Sequence, residues 1–596
     1  MWQNRNTHLN EALFKSSIKR LYIGILFLFV LIVCKLFYLQ IIKGTHFSLL
    51  SDENRLHSYT YRAPRGKILA RGGEIIVDNR EVYTAILSKV NFDIQTLKDT
   101  VQKASEFMQI NLSKINENIN RLKSKSFENI YLARDIPRQM MFEFKERLPY
   151  MPGLLIVTEP VRRYRLSTLS AHILGYLSEI DSNELKLLRG EGYNLGDLIG
   201  KSGVENVYDI YLRGKDGCKQ VEVDAKGRQI KIVSEQMPVY GNDVYLTISY
   251  NLQKKAEEVL AKKAGTIVAI DPRNGEVLAM VSSPGFDPTQ FLYSLDEEKR
   301  QVLNDPRYPL MNRALQSQYA PGSVFKIITT IAALEERAVN KDTEYFCKGL
   351  LHIGKDNRVF KCWEERGHGR VDLKKAFINS CDVFYYHTGI ATGVDKLSKY
   401  AKEFGFDMYT GIDLPSEKKG LVPTREWKRE RMNRGWLPGD TANMSIGQGF
   451  LLVTPIQIAN MLAAVVNGGN LYRPYIMKKI ISPKGKILLE NKPIALKKIN
   501  ISEDTINFLK ETLELVVSEG TGRGAFIANY RVGGKTGTAE NPHGDDHAWF
   551  VAAAPMPDPT IVICVFIENG GHGGATAAPL ARELIQIYRK EADFKN

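Results

Sequence analysis

Ser323 stands three residues before Lys326 in YAPGSVFKII (319–328), and Val324, Phe325, Ile327 and Ile328 around them are apolar. A serine hydroxyl is a weak nucleophile until a base takes its proton. Residues three apart on a helix share a face, so a helix opening after Pro321-Gly322 stacks Lys326 one turn above Ser323. The lysine acts as a base only when neutral, and neutralising it at pH 7 from a reference pKa of about 10.4 costs about 4–5 kcal/mol. Burial lowers that pKa and a second cation lowers it further. The apolar neighbours of Lys326 supply the first effect and Lys535 is the candidate for the second.

Two more strings complete a set. Ser380-Cys381-Asp382 is a variant of S-x-N, and Lys535-Thr536-Gly537 is K-T-G, followed by Thr538. The order S-x-x-K, S-x-N, K-T-G marks serine acyl transfer. In that chemistry Ser380 relays a proton towards a leaving amine. Asp382 favours a charged lysine, so it is expected to balance one of the two lysines in a shared network. The 535–538 stretch reads as an edge strand on which Lys535, Thr536 and Thr538 bind a carboxylate. Gly533, Gly534 and Gly537 are expected to admit a substrate backbone. The backbone N–H groups of Ser323 and Thr538 form the natural oxyanion hole.

Cys347, Cys362, His368 and Cys381 read C-x14-C-x5-H-x12-C. Three thiolates and an imidazole suit tetrahedral zinc, although the spacing fits no common zinc finger. A Cys347–Cys362 disulfide and buried free thiols remain alternatives. The six cysteines of the chain are too few for a disulfide scaffold.

These groups need a scaffold, and the chain supplies signals for one. VYLTISYNLQKKAEEVLAKKA from 244 gives a strand, a cap at Ser249 or Asn251 and an amphipathic helix, and Asn274-Gly275 marks a hairpin between two apolar strands. Helical periodicity covers Val324–Arg337, Pro455–Val466 and Glu503–Glu519; HAWFVAAAP and TIVICVFIEN follow as strands, and Ala578–Lys590 as a closing helix. This predicts an antiparallel sheet flanked by helices over 241–596. Residues 43–240 read as an elongated mixed domain, α+β like the rest. It has strands and hairpins over 61–87, an inserted helical lobe near 95–125, a helix capped by Asp181 or Ser182, and a hairpin around Lys226-Gly227.

The 596 residues allow several domains. The net charge of +14 fits either an anionic partner or a generally basic proteome, and no zinc-finger, RNP-like or arginine-rich element argues for nucleic acid. LYIGILFLFVLIVCKLFYLQII (21–42) is long and apolar enough to span a bilayer. It predicts a cytoplasmic tail over 1–20, one transmembrane helix over 21–42, and the remainder outside the inner membrane.

The chain resembles a class B penicillin-binding protein almost end to end. Beyond the three motifs, RAPRGKILARGGEII (62–76), GKSGVENVYDIYLRGKDG (200–217), AIDPRNGEVLAMVSSPGFDP and MSIGQGFLLVTPIQIA carry the likeness; SCDVFYY and CWEERGHG point to the elongation-specific penicillin-binding protein 2 branch. The resemblance implies a penicillin-binding/β-lactamase-like transpeptidase domain on a dimerisation-type pedestal. It implies that Ser323 attacks a D-Ala-D-Ala stem peptide and that an acceptor amine resolves the acyl-enzyme into a peptidoglycan cross-link. β-Lactams then acylate the same serine. The implied partners are a RodA-like SEDS glycosyltransferase and an MreC-like scaffold, and no organic cofactor is called for. Some relatives bind zinc where this chain has its cysteine cluster, with acidic residues at the positions of Cys347 and Cys362. A carboxypeptidase or β-lactamase, and a non-enzymatic sensor or scaffold, are the competing readings.

Overall fold

The computed structural model describes residues 3–45, 56–87, 94–108, 130–165, 168–194, 196–223, 229–293, 296–354 and 357–593. Helix Gln3–Phe37 contains most of the predicted span, and the candidate span reaches from Phe14 to Ile42, with a mean hydropathy of 2.6 over its most apolar 18 residues. Its side chains are exposed, with Leu26 at 64% and Phe27 at 63%, as a helix whose apolar partner is lipid requires.

The chain divides into two compact units whose segments alternate along the sequence rather than part at one point. One unit comprises Met1–Ala63, Glu81–Glu159 and Lys215–Val239; the other comprises Pro64–Arg80, Pro160–Gly214 and Tyr240–Asn596. The expected division at 240/241 falls next to one of these boundaries. However, 64–80 and 160–214, read from sequence as pedestal, fold with the C-terminal unit. The cause is a set of long-range pairings. Ile68–Leu69 pairs in parallel with Asp243–Leu246. Glu205 and Asp209, from the GVENVYD stretch, accept ion pairs from Arg65, and Glu205 also accepts one from Arg162.

In the first unit, strands Leu56–Tyr61, Gly217–Val223 and Gln229–Gln236 form an antiparallel sheet. The last two are the arms of the expected hairpin, whose Lys226-Gly227 turn lies outside the described residues. Helix Ile94–Met108 buries Leu97, Val101 and Ala104 against Ala85, Leu87, Leu132 and Phe144, the i, i+4, i+7 stripe of an amphipathic helix. The remainder of the predicted lobe, beyond 108, lies outside the described residues.

The second unit is built on a five-stranded antiparallel sheet. Its strands run in the order Val277–Ser283, Gly265–Ile270, Ile561–Ile567, His547–Ala554, Gly533–Ala539. Alternation splits each strand between two cores. Ile267 and Ala269 pack with helices Tyr250–Leu260 and Gly573–Asp593, while Val268 and Ile270 share a core with helix Pro455–Val466. All twelve residues of Pro455–Val466 are buried. The cap of Tyr250–Leu260 is Ser249, which accepts from the Leu252 N–H. The closing helix begins at Gly573, five residues before the expected Ala578, and carries Pro579 inside it.

Candidate active site

Gly322–Phe325 forms a 3-10 turn that runs into helix Lys326–Glu335. Residues three apart eclipse in such a turn, so Ser323 and Lys326 fall in line. Gly322 has φ +55°, and a Cβ there would lie 2.4 Å from the Thr538 carbonyl oxygen. Only glycine lets the turn sit this close to the edge strand. Gly322 also donates its N–H to the Gly447 carbonyl at 3.0 Å.

Lys326 is fully buried. Its Nζ donates to the Ser380 carbonyl at 2.8 Å, to Ser380 Oγ at 3.2 Å and to Asp382 Oδ1 at 2.7 Å. Lys535, also fully buried, donates from Nζ to the same Ser380 Oγ at 2.9 Å. Ser380 Oγ therefore joins the two lysines. Burial, and then the charge of Lys326, push the Lys535 amine well below the usual lysine pKa, against the opposing pull of Asp382. The sequence reading expects Asp382 to balance one of the two lysines, and in the structure it ion-pairs with Lys326. Asp382 opens helix Asp382–Thr392, and its carboxylate meets Lys326 from there.

Ser380 has φ +54°. For a residue other than glycine that left-handed conformation costs about 1–2 kcal/mol. The strain at this residue is expected of a site whose surroundings over-determine it.

Strand Gly533–Ala539 is the sheet edge, as expected, and pairs with His547–Ala554. Its glycines have a packing role that the sequence reading assigned to substrate. A Cβ on Gly537 would lie 2.9 Å from the Pro321 carbonyl oxygen, Trp549 Cβ and Val324 Cγ2. Gly537 thus lets the serine-bearing segment pack on the strand. Thr536 Oγ1 shares a hydrogen bond of 2.7 Å with Thr521 Oγ1. Gln448, which sequence reasoning did not single out, donates from Nε2 to the Thr538 carbonyl at 3.2 Å. The available signal was its setting between Gly447 and Gly449, whose φ values are +75° and +76°.

The four candidate metal-ligand side chains also converge. The donor atoms of Cys347, Cys362, His368 and Cys381 all lie within 4.8 Å of one another. His368 Nδ1 is 3.7 Å from Cys347 Sγ and 3.5 Å from Cys362 Sγ. Tetrahedral zinc bonds of about 2.3 Å to sulfur and 2.0–2.1 Å to nitrogen put ligand atoms roughly 3.5–3.8 Å apart, a spacing that the two His368 contacts match and that donor types of three thiols and an imidazole suit. All six cysteines are free thiols, so the Cys347–Cys362 disulfide is absent. Hydrogen bonds from Cys381 and His368 favour the thiolate at Cys362.

Known proteins resemble the chain over most of its length. Residues 265–586 match the model of the penicillin binding protein transpeptidase domain, and residues 60–246 that of the penicillin-binding protein dimerisation domain. The peptidoglycan D,D-transpeptidase MrdA of Acinetobacter baumannii is 34% identical over 96% of this chain and 88% of its own length. A solved complex between penicillin-binding protein 2 and MreC from Helicobacter pylori superposes with a TM-score of 0.78 at 27% identity, covering 89% of this chain and 99% of that one. A structure describing coordination of polymerization and crosslinking by a peptidoglycan synthase complex gives a TM-score of 0.70 at 31% identity, with 96% and 97% of the two chains covered.

Proposed function

Since this chain belongs to the penicillin-binding protein family and is a class B peptidoglycan D,D-transpeptidase of the penicillin-binding protein 2 type, we propose that Ser323 forms its acyl-enzyme and that Lys326, Ser380, Asp382 and Lys535 manage the protons. The observation that carries this reading is the pair of lysine nitrogens on one hydroxyl, Ser380 Oγ.

The donor peptide lies along the edge strand, with its terminal carboxylate on Lys535, Thr536 and Thr538 and its backbone beside Gly537. A proton of Lys326 passes through Ser380 Oγ to the neutral Lys535. The freed Lys326 amine takes the proton of Ser323 as its Oγ attacks the penultimate D-alanine carbonyl. The N–H groups of Ser323 and Thr538 stabilise the oxyanion, donors worth several kcal/mol each in such sites. The C–N bond then breaks, and Ser380 delivers a proton to the departing D-alanine amine. An acceptor amine attacks the ester by the reverse sequence, which leaves the cross-link and restores Ser323. β-Lactams enter as donor mimics and stay on the serine.

The apolar N-terminal helix fits a single-pass membrane anchor. Its orientation in this reading places the amino terminus in the cytoplasm and the catalytic unit in the periplasm. The similarity to an MreC-bound protein and to a synthase complex supports an MreC-like scaffold and a RodA-like glycosyltransferase as partners in elongation. The cysteine and histidine cluster is read as a structural zinc site. Zinc bound by Cys347, Cys362, His368 and Cys381 would cross-link the 347–368 segment to the residue between Ser380 and Asp382, and no chemical step passes through it. The whole reading is tested by supplying lipid-linked stem peptide and an acceptor strand to the full chain. Cross-linked dimers with release of D-alanine are expected. Release of D-alanine to water alone would make the chain a carboxypeptidase.

A further inference from the structure

Ser380 and Asp382 both depend on a residue outside the three motifs. The Ser380 carbonyl accepts from Lys326 Nζ at 2.8 Å and from the Trp363 indole Nε1–H at 3.1 Å. The same indole N–H reaches the Asn379 carbonyl at 3.0 Å. Asp382 is divided in the same way. Its Oδ1 accepts from Lys326 and its Oδ2 accepts the Trp363 backbone N–H at 3.0 Å. Trp363 thus shares with Lys326 both groups that orient the lysine. Ser380 is in a left-handed conformation, which persists only where neighbours impose it. Trp363 itself is 53% exposed, so its contribution lies in directed hydrogen bonds more than in apolar burial.

We propose that Trp363 is a positioning residue for acyl transfer. Its indole N–H holds the 379–380 backbone in the left-handed turn that aims Ser380 Oγ between Lys326 and Lys535, and its main-chain N–H fixes Asp382 against Lys326. This rests on the reading that Ser323 is the acylated residue and Lys326 its proton acceptor. Without the indole donor, Ser380 relaxes and its hydroxyl leaves the point between the two amines. The groups that bind the donor carboxylate stay in place. The loss therefore falls on the acylation step and spares binding before it.

The test uses the full chain in detergent micelles and a fluorescent penicillin. The rate is normalised to titratable sites and resolved into pre-acylation affinity and acylation rate constant. Trp363→Phe and Trp363→Leu remove the donor, whereas Trp363→His keeps a ring N–H. The acylation rate constant is expected to fall about tenfold to a hundredfold in the Phe and Leu variants, with affinity within about threefold of wild type. The His variant should acylate faster than the Phe variant despite its smaller ring. Rates within about twofold of wild type for Phe and Leu, a ranking that follows ring size, a loss confined to affinity, or a loss of titratable sites at normal rate per site would each overturn the proposal. Labelling of wild type with none in Ser323→Ala verifies the underlying reading separately. If Ser323→Ala is labelled equally, that reading has failed, whatever Trp363 does.

Discussion

Ser380 Oγ lies within hydrogen-bond reach of both Lys326 Nζ and Lys535 Nζ. When Lys535 is neutral that hydroxyl can donate to it instead, which opens the path between the two amines. Ser380→Ala removes this link while leaving both lysines. Acylation by labelled penicillin is expected to fall by about 10²–10⁴, the range for losing a positioned acid–base group. A rate within a few-fold of wild type would remove Ser380 from the proton path. Much of this was legible at the residue scale. A lysine one turn from a serine, among Val324, Phe325, Ile327 and Ile328, already implies a buried amine. Which lysine Asp382 meets was not legible, because spacing gives no side-chain direction across separate elements. Trp363 and Gln448 were missed for a similar reason, since each acts on a carbonyl or carboxylate remote in sequence.

Elements set by local pattern follow the sequence closely. The Asn274-Gly275 hairpin forms with Gly275 at φ +83°, and Pro455–Val466 begins and ends as its periodicity predicts. Elements whose partners lie far along the chain do not. The pairing of Arg65 with Glu205 spans 140 residues, and no local signal assigns 160–214 to the C-terminal unit. One cavity of that unit has a testable electrostatic balance. Thr168, Ser170, His172, Glu257 and Ser282 line it. Burial lowers His172 to about 4 and raises Glu257 to about 7. Between pH 6.5 and 4 the unfolded chain protonates His172 more readily than the folded chain does, so stability falls with acid. Between pH 7 and 4.5 the folded chain protonates Glu257 more readily, so stability rises with acid. The two trends oppose each other. Glu257→Gln is expected to make the thermal midpoint drop more steeply from pH 7 to 4.5 than in wild type. An unchanged slope would contradict the buried state of Glu257. The cysteine cluster gives a second test at this scale. Purified protein is expected to carry about one zinc per chain, the stoichiometry of a single four-ligand site, and to lose thermal stability on chelation. Metal content well below that would leave the cluster as buried thiols.

At the scale of the whole molecule, an apolar helix near the amino terminus, a domain matching the dimerisation family and a transpeptidase domain lie in order along one chain. That order was readable from composition and motifs because each part has its own signature: a long apolar run, glycine-marked strands, and three catalytic strings. The excess of 81 basic over 67 acidic residues suits an enzyme that works near anionic lipid and an anionic polymer. The central claim is that this intact chain carries its acyl group on one serine. The most direct measurement is mass spectrometry of the full-length protein after exposure to benzylpenicillin, with peptide mapping of the adduct. A single adduct on the peptide containing Ser323, absent from Ser323→Ala, is the expected result; an adduct on another residue, or one that survives Ser323→Ala, would contradict the account.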